Sequence, residues 1–114
     1  LNLVAAAETD VQPPAIQADI EAIHGLAGRR RDGERNSSRT LDIDLLLYGA
    51  AIIHNDGLQL PRADILKYSF VLCPLADIAP DVVHPVTGLT IGEHWKAFDV
   101  AAQPLRRVES IARE

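Results

Sequence analysis

The sequence predicts an α/β protein in which helices pack on an antiparallel or mixed sheet. Apolar and polar residues alternate between positions 41 and 45, as they do in a half-buried strand. Short apolar runs next to turn signals predict further strands, at residues 52–53 and 58–60. Apolar residues recur at helical spacing in three stretches, which are residues 13–28, 62–79 and 91–98. With 114 residues, the chain is long enough for one small domain and one core.

The first two predicted elements are a strand and a helix. Residues 1–9 begin with apolar side chains and contain no breaking residue, which favours a strand. Pro13 and Pro14 are suited to open a helix, because a fixed φ and a missing N–H do no harm in its first turn. The expected buried stripe of this helix is Ile16, Ile20 and Ile23. Gly25 and Gly28 are expected to end it.

The stretch at residues 41–48 carries the chemistry. Asp42 and Asp44 fall on one face of the predicted strand, roughly 6–7 Å apart, because alternate residues on a strand point the same way. Aspartate is a poor strand residue, so two of them at this spacing need a reason. Carboxylate oxygens suit hard divalent cations such as Mg²⁺ carried by phosphates. A strand with a solvated face is the alternative.

Arginines concentrate immediately before this stretch. Five of the chain's eleven basic residues lie in eleven positions, at Arg29, Arg30, Arg31, Arg35 and Arg39. Such runs are usually solvated charge. Beside a pair of carboxylates in a chain of net charge −5, they instead favour the binding of a metal-bridged polyphosphate.

The second half of the chain predicts a hairpin followed by helices. The turn signal at residues 55–57 separates the two short strands, and Pro61 stops the second of them. We expect Pro74 to interrupt the helical pattern at residues 62–79. A closing helix is indicated by the spacing of Ile91, Trp95 and Phe98. No ligand spacing relates Cys73, His84 and His94, and a structural role is predicted for all three.

Composition argues against several classes of protein. The net negative charge makes general nucleic-acid binding unlikely, leaving only the arginine-rich loop for it. A single cysteine rules out an intramolecular disulfide. No apolar run is long enough for a membrane span and no secretory signal is present, so the expected location is the cytoplasm and no membrane partner is expected. The oligomeric state is not predicted by the sequence.

Taken together, the motifs carry a resemblance to a known enzyme family. The segment RTLDIDLLLYG at residues 39–49 resembles the signature of 6-hydroxymethyl-7,8-dihydropterin pyrophosphokinase, and short matches lie at residues 1–2, 60–61, 70–75 and 79–80. The resemblance implies a ferredoxin-like sheet with helices packed on it. It also implies transfer of pyrophosphate from ATP to the hydroxymethylpterin, giving AMP, with Mg²⁺ as cofactor.

The resemblance also implies a role for individual residues. It places Mg²⁺ at Asp42 and Asp44, which would act in catalysis together with Arg29 and Arg39. Nucleotide-binding residues would be Arg31, Leu45 and Arg62. Asn2 would hold the pterin ring through its amide, and Phe70 would stack on the face of the pterin.

Four residues depart from the family pattern. His24 stands where a carboxylate is usual, Asn36 replaces a common tryptophan, Arg62 replaces a histidine, and Tyr68 replaces an arginine. These departures leave open a catalytically weakened or inactive pterin- or nucleotide-binding relative. A third and weaker alternative is a nucleic-acid module that uses the arginine-rich loop.

The chain contains no methionine, even at position 1. In the resembled family, a strand, a helix and a second strand precede the point at which Leu1 falls. We therefore expect residues 1–114 to form a single pyrophosphokinase-like domain that lacks this upstream segment, and to be inactive alone.

Overall fold

The structure, a computed structural model, describes residues 2–28, 42–55 and 57–105. Its helices are α1 Pro13–Gly28, α2 Asp64–Lys67, α3 Ser69–Ile78 and α4 Ile91–Ala97, and its strands are β1 Ile53–Asn55 and β2 Leu58–Leu60. The strands form one two-stranded antiparallel sheet among these described residues. This combination confirms the predicted fold class in its α+β form. Within the same ranges, no helix is long and apolar enough to cross a membrane.

The chain divides into two compact units. Ala7–Arg62 form the first, called the hairpin unit here, and it holds α1, β1 and β2. Leu1–Ala6 and Ala63–Glu114 form the second, called the three-helix unit, and it holds α2, α3 and α4.

Helix α1 opens the hairpin unit and confirms the predicted start at the two prolines. The backbone N–H groups of Ala15 and Ile16 both donate to the carbonyl of Gln12, at 3.0 and 3.1 Å, and close the first turn. The buried stripe was predicted correctly at Ile20 but wrongly at Ile23, which is 41% exposed. Periodicity predicts the side of a helix that faces the core, but it does not predict how much of the length of that side is buried by the rest of the protein.

The predicted end of α1 at Gly25 is wrong. The helix continues through Gly25, and its described part reaches Gly28. A glycine inside a helix costs about 1 kcal/mol relative to alanine, which weakens a helix without ending it.

The hairpin β1–β2 follows the prediction closely. Ile53 pairs with Leu60 and Asn55 with Leu58. The side chain of Asn55 accepts a 3.2 Å hydrogen bond from the backbone N–H of Gly57, as a turn-forming asparagine does. Leu58 and Leu60 are buried, and β2 ends at the cis Leu60–Pro61 peptide bond.

The predicted strand at residues 41–48 is wrong for its described part, residues 42–48. The alternation itself is present, because Asp42 and Asp44 are exposed whereas Ile43 and Leu45 are half-buried. A strand also requires successive ladder bonds to a neighbour. Within the described ranges, the backbone of this segment makes a single bond to another segment's backbone, from the N–H of Arg62 to the carbonyl of Leu46 at 3.0 Å.

The predicted strand at residues 1–9 is also wrong where the chain is described. Residues 2–10 have extended or irregular backbone and pair with no strand among the described residues. Apolar content alone does not make a strand, because its backbone N–H and C=O groups need a pairing partner.

Two helices, α2 and α3, replace the helical stretch predicted at residues 62–79. The break lies at Tyr68, whose backbone is extended with φ −124° and ψ 128°, and not at Pro74 as predicted. Pro74 lies inside α3. Proline removes one helical hydrogen bond, and the helix persists here because Leu72 and Leu75 on either side of it are both buried.

Gln103 forms hydrogen bonds with both sides of the break between α2 and α3. Its side chain accepts from the N–H of Ser69 at 2.9 Å and donates to the carbonyl of Lys67 at 2.9 Å. The hydroxyl of Ser69 donates to the backbone carbonyl of Gln103 at 2.9 Å. These bonds satisfy groups that the helix ends would otherwise leave without partners.

Helix α4 is fixed by a capping box. The hydroxyl of Thr90 accepts from the N–H of Glu93 at 3.0 Å, and the carboxylate of Glu93 accepts from the N–H of Thr90 at 2.8 Å. This hydrogen bond to the backbone of Thr90 is the main reason that the pKa of Glu93 is lowered. Ile91 is fully buried, and Trp95 and Phe98 stack with ring centroids 5.9 Å apart, so the predicted closing helix is confirmed.

A buried histidine organises the turn before α4. His84 is 4% exposed, and its Nδ1 accepts from the N–H groups of Val86 and Thr87 at 3.2 and 3.3 Å. The edge of its ring meets His94 at a centroid distance of 5.6 Å. Burial lowers the pKa of His84, and the charge of His94 lowers it further. These contacts agree with the structural role predicted for both histidines.

We expect His84→Asn to remove a specific part of the pH dependence of stability. Asparagine Oδ1 can replace Nδ1 as an acceptor but does not titrate. The pKa of His84 is lowered in the folded state, whereas in the unfolded state it has its ordinary value of 6.5. The unfolded state therefore binds more protons than the folded state as the pH falls below 6.5. The wild type should therefore lose stability relative to His84→Asn as the pH falls below 6.5. Urea unfolding of both proteins between about pH 8 and pH 5 measures this difference. A difference that is constant over this range would contradict the assignment.

We also expect Gln103→Leu to lower the free energy of unfolding by about 1–3 kcal/mol, because it leaves the N–H of Ser69 and the carbonyl of Lys67 without these partners. Gln59→Leu, at an exposed position of β2, is the matched control and should change stability by about 0.5 kcal/mol or less. The measurement is urea unfolding. Equal losses of unfolding free energy in the two variants would show that the hydrogen bonds of Gln103 do not stabilise the break between α2 and α3.

Candidate functional site

The candidate site is built on the segment 42–48 of the hairpin unit. Helix α1 presents His24 near its carboxyl-terminal end, and Nε2 of this side chain accepts a 2.8 Å hydrogen bond from the backbone N–H of Ile43. Ile43 lies between Asp42 and Asp44 in the sequence. The helix is therefore attached to the segment at the residue between the two exposed carboxylates.

Arg62 attaches the same segment to the end of the hairpin. Its backbone N–H donates to the carbonyl of Leu46 at 3.0 Å. Its guanidinium Nη1 lies 3.7 Å from Oδ1 of Asp44, and the two side chains are 34% and 44% exposed. An ion pair of this length and exposure is screened by water and contributes at most about 1 kcal/mol. The structure thus brings together two of the predicted site residues, Asp44 and Arg62.

The donor set at this position fits a phosphate-borne Mg²⁺ ion. Asp42 and Asp44 both offer hard oxygen ligands to solvent. Within residues 2–28, 42–55 and 57–105, no three His, Cys, Asp or Glu side chains are grouped so as to hold a metal ion. Mg²⁺ needs no such cage, because it keeps several waters and is commonly bound by one or two carboxylates together with substrate phosphates. Two exposed carboxylates match that requirement.

Arg62 introduces a positive charge into this otherwise acidic position. Nη1 of Arg62 lies 3.7 Å from Oδ1 of Asp44, so a cation bound to this carboxylate would have a positive charge nearby. Because like charges repel, a metal ion alone is disfavoured beside this arginine, whereas phosphate groups that accompany the ion would also attract the guanidinium. The arrangement is therefore better suited to a metal–polyphosphate complex than to a bare divalent cation.

The two predicted pterin residues lie in the three-helix unit. Asn2 is exposed. Phe70, on α3, is 41% exposed and stacks on Tyr68 with ring centroids 5.0 Å apart and an interplanar angle of 22°. The ammonium group of Lys67 lies 5.7 Å from the centroid of the Tyr68 ring. The structure leaves part of the Phe70 ring exposed and available for stacking, as an aromatic platform for a flat heterocycle requires.

Of the other predicted site residues, the structure describes Leu45. Leu45 is half-buried in the segment that carries the carboxylates. Arg29, Arg31 and Arg39 lie outside the described residues, as does Asn36.

The sequence analysis missed two contacts of the residues that it singled out. It identified His24 only as a departure from a usual carboxylate, and no periodicity signals a hydrogen bond between residues 19 positions apart. It treated Tyr68 only as the loss of an arginine. The close spacing of two aromatic residues, Tyr68 and Phe70, in a chain with only two Tyr and two Phe was the available signal for their contact.

Comparisons with known proteins give the family. The family model of 7,8-dihydro-6-hydroxymethylpterin-pyrophosphokinase (HPPK) matches residues 1–80. A 2-amino-4-hydroxy-6-hydroxymethyldihydropteridine pyrophosphokinase of Haemophilus influenzae is 42% identical over 88 residues, which cover 75% of this chain and 52% of the relative. The protein of the same name from Pseudomonas aeruginosa is 40% identical over 111 residues, which cover 97% of this chain and 64% of the relative.

A longer relative matches over a smaller share of its length. The folic acid synthesis protein fol1 of Pneumocystis carinii is 36% identical over 95 residues, which cover 83% of this chain and 13% of that protein. The chain thus spans about half to two thirds of the bacterial relatives, at 52% and 64%. From the match of the family model to residues 1–80 and from these identities, the chain belongs to the 7,8-dihydro-6-hydroxymethylpterin-pyrophosphokinase family.

Proposed function

We propose that the protein carrying this chain transfers pyrophosphate from ATP to 6-hydroxymethyl-7,8-dihydropterin, a reaction of folate biosynthesis. Family membership and the names of the bacterial relatives support this activity. The structural observation that carries the proposal is the exposed pair Asp42 and Asp44, with the guanidinium of Arg62 3.7 Å from Asp44.

The proposed reaction forms one phosphorus–oxygen bond and breaks another. The hydroxymethyl oxygen of the pterin bonds to the β-phosphorus of ATP. The bond from that phosphorus to the α,β-bridging oxygen breaks, and AMP leaves with the bonding electrons on that oxygen. The hydroxyl proton passes to solvent. Little covalent work falls to the protein, because such transfers depend on alignment and electrostatic stabilisation.

In this proposal, Asp42 and Asp44 hold the Mg²⁺ that accompanies ATP. When bound, the ion neutralises phosphate charge and orients the phosphate chain. The two carboxylates would hold the positive charge of the ion at one position on the hairpin unit. This role is supported by their exposure and by the two-carboxylate requirement of Mg²⁺ sites that include phosphate.

Cationic residues would bind the phosphates of ATP alongside the metal-binding carboxylates. Arg62 supplies a permanent charge next to Asp44, in place of a donor that is histidine in the family pattern. We assign phosphate binding and stabilisation of the transferred group to Arg29, Arg31 and Arg39 by their match to the family signature. Leu45 would contact the nucleotide from the same segment.

The pterin would be bound by Asn2 and Phe70. An amide can donate to and accept from the edge of a heterocycle at the same time. The partly exposed ring of Phe70 can stack on the pterin face, and its contact with Tyr68 restricts the position of that ring.

We further propose that residues 1–114 form one pyrophosphokinase-like domain with a ferredoxin-like arrangement. The inactive relative that the departures at His24, Asn36, Arg62 and Tyr68 left open is the less favoured alternative, because the relatives are named as pyrophosphokinases. Turnover separates the two, since an inactive relative would bind pterin or nucleotide without releasing AMP.

The proposal predicts the effect of removing either carboxylate. We expect Asp42→Asn and Asp44→Asn each to lower kcat by roughly a hundredfold or more, because each loses one preorganised electrostatic partner while keeping its shape. The measurement is AMP release from ATP, Mg²⁺ and 6-hydroxymethyl-7,8-dihydropterin by the product of the complete reading frame. Near-normal turnover of both variants at saturating Mg²⁺ would overturn the site.

A matched variant and a stability measurement serve as controls. Asp19→Asn changes an exposed carboxylate of α1 in the same unit and should leave kcat unchanged. Asp44→Asn should alter the free energy of unfolding by no more than about 1 kcal/mol, because its ion pair is long and exposed. A larger destabilisation would mean that lost activity reports lost folding.

A further inference from the structure

The hydrogen bond between Ile43 and His24 defines the chemical state of the histidine. A backbone N–H can only donate, so Nε2 of His24 must accept at 2.8 Å and cannot carry a proton. The neutral ring then carries its proton on Nδ1. His24 and Ile43 are both half-buried, so water competes with this bond less than it would at a fully exposed position.

The position of this bond in the chain gives it control over the neighbouring carboxylates. The nitrogen of Ile43 lies in the same rigid peptide plane as the Cα and carbonyl of Asp42. The Cα of Asp44 is about 3.8 Å from that of Ile43, on the other side. A single acceptor for the N–H of Ile43 therefore restrains the backbone that carries both aspartates.

Segment 42–48 depends on such restraints because it lacks a strand ladder. Among the described residues, the other backbone bond that ties it to a distant segment is the one from Arg62 to Leu46. Without His24, the half-buried N–H of Ile43 would lose its partner, and the backbone between the aspartates could rotate to find another.

We propose that His24 is a positioning residue for the carboxylate pair. Its Nε2 accepts from the N–H of Ile43 and thereby keeps Asp42 and Asp44 at one separation and orientation, as carboxylates that bind divalent cations together require. This inference rests on the proposed function in that the cation is the one carried with ATP.

Three variants separate the acceptor from the rest of the side chain. His24→Gln keeps an acceptor, because glutamine Oε1 reaches about as far as Nε2. His24→Leu removes the acceptor and keeps an apolar side chain of moderate size. His54→Leu is the matched control, since His54 is an exposed histidine on β1 of the same unit.

The first readout is the hydrogen bond itself, in the ¹⁵N-labelled product of the complete reading frame. In the wild type at about pH 8, we expect His24 to show an unprotonated Nε2 and a protonated Nδ1. Amide hydrogen exchange of Ile43 should become about tenfold faster or more in His24→Leu, and stay near the wild-type rate in His24→Gln and His54→Leu.

The second readout is cation binding, with Mn²⁺ as the probe in the presence of ATP. We expect the Mn²⁺ affinity to fall by about tenfold in His24→Leu, as it does when an outer partner of a metal ligand is removed. His24→Gln should bind within about threefold of the wild type, because the acceptor is retained. A residue that only supported the fold would not distinguish these two variants in this way.

The outcomes separate failure of this inference from failure of the proposed function. A protonated Nε2 in the wild type would show that the hydrogen bond from Ile43 to His24 is not formed. An unchanged rate of amide hydrogen exchange at Ile43 in His24→Leu would show the same. Mn²⁺ affinity that falls in Asp44→Asn but not in His24→Leu would overturn positioning alone. Mn²⁺ affinity that is unchanged in both Asp42→Asn and Asp44→Asn would remove the cation site and with it the proposed function. The wild-type nitrogen signals remain interpretable even if His24→Leu does not fold.

Discussion

The hydrogen bond from the N–H of Ile43 to Nε2 of His24 is the restraint on which the candidate site depends. The segment that carries Asp42 and Asp44 has the alternating exposure of a strand but not the ladder that would hold a strand in place. Its position is set instead by single bonds, at 2.8 Å to α1 and at 3.0 Å to Arg62 at the end of the hairpin. Each of these bonds therefore affects the carboxylates more than one bond among many in a ladder would.

Side chains also hold the irregular backbone of the three-helix unit. Gln103 satisfies the ends of α2 and α3 where the chain breaks at Tyr68, and His84 accepts from two N–H groups of the turn before α4. In both cases a polar side chain satisfies backbone groups that no helix or strand satisfies. Ser69 and His84 are buried and hydrogen-bonded, as such groups must be.

Local signals predicted what local chemistry controls. The prolines that begin α1, the Asn55 turn and the spacing in α4 act over a few residues, and each was predicted correctly. The strands predicted at residues 1–9 and 41–48 are wrong over their described parts, residues 2–9 and 42–48, because strand formation depends on partners far away in the sequence. At the site, the Asp42 and Asp44 alternation was predictable, whereas the role of His24 was not, since its partner is 19 residues away and is a backbone group that any residue type provides.

We propose that Asp42 and Asp44 form the cation site, and paramagnetic broadening by Mn²⁺ reports where a bound ion lies. Substoichiometric Mn²⁺ is added with ATP to the ¹⁵N-labelled product of the complete reading frame, and the loss of each amide signal is measured. We expect the signals of residues 42–45 and of Arg62 to be lost first, and Asp44→Asn to abolish this selectivity. Selective loss around another acidic position, such as Asp10 or Asp81, with residues 42–45 unaffected would contradict it.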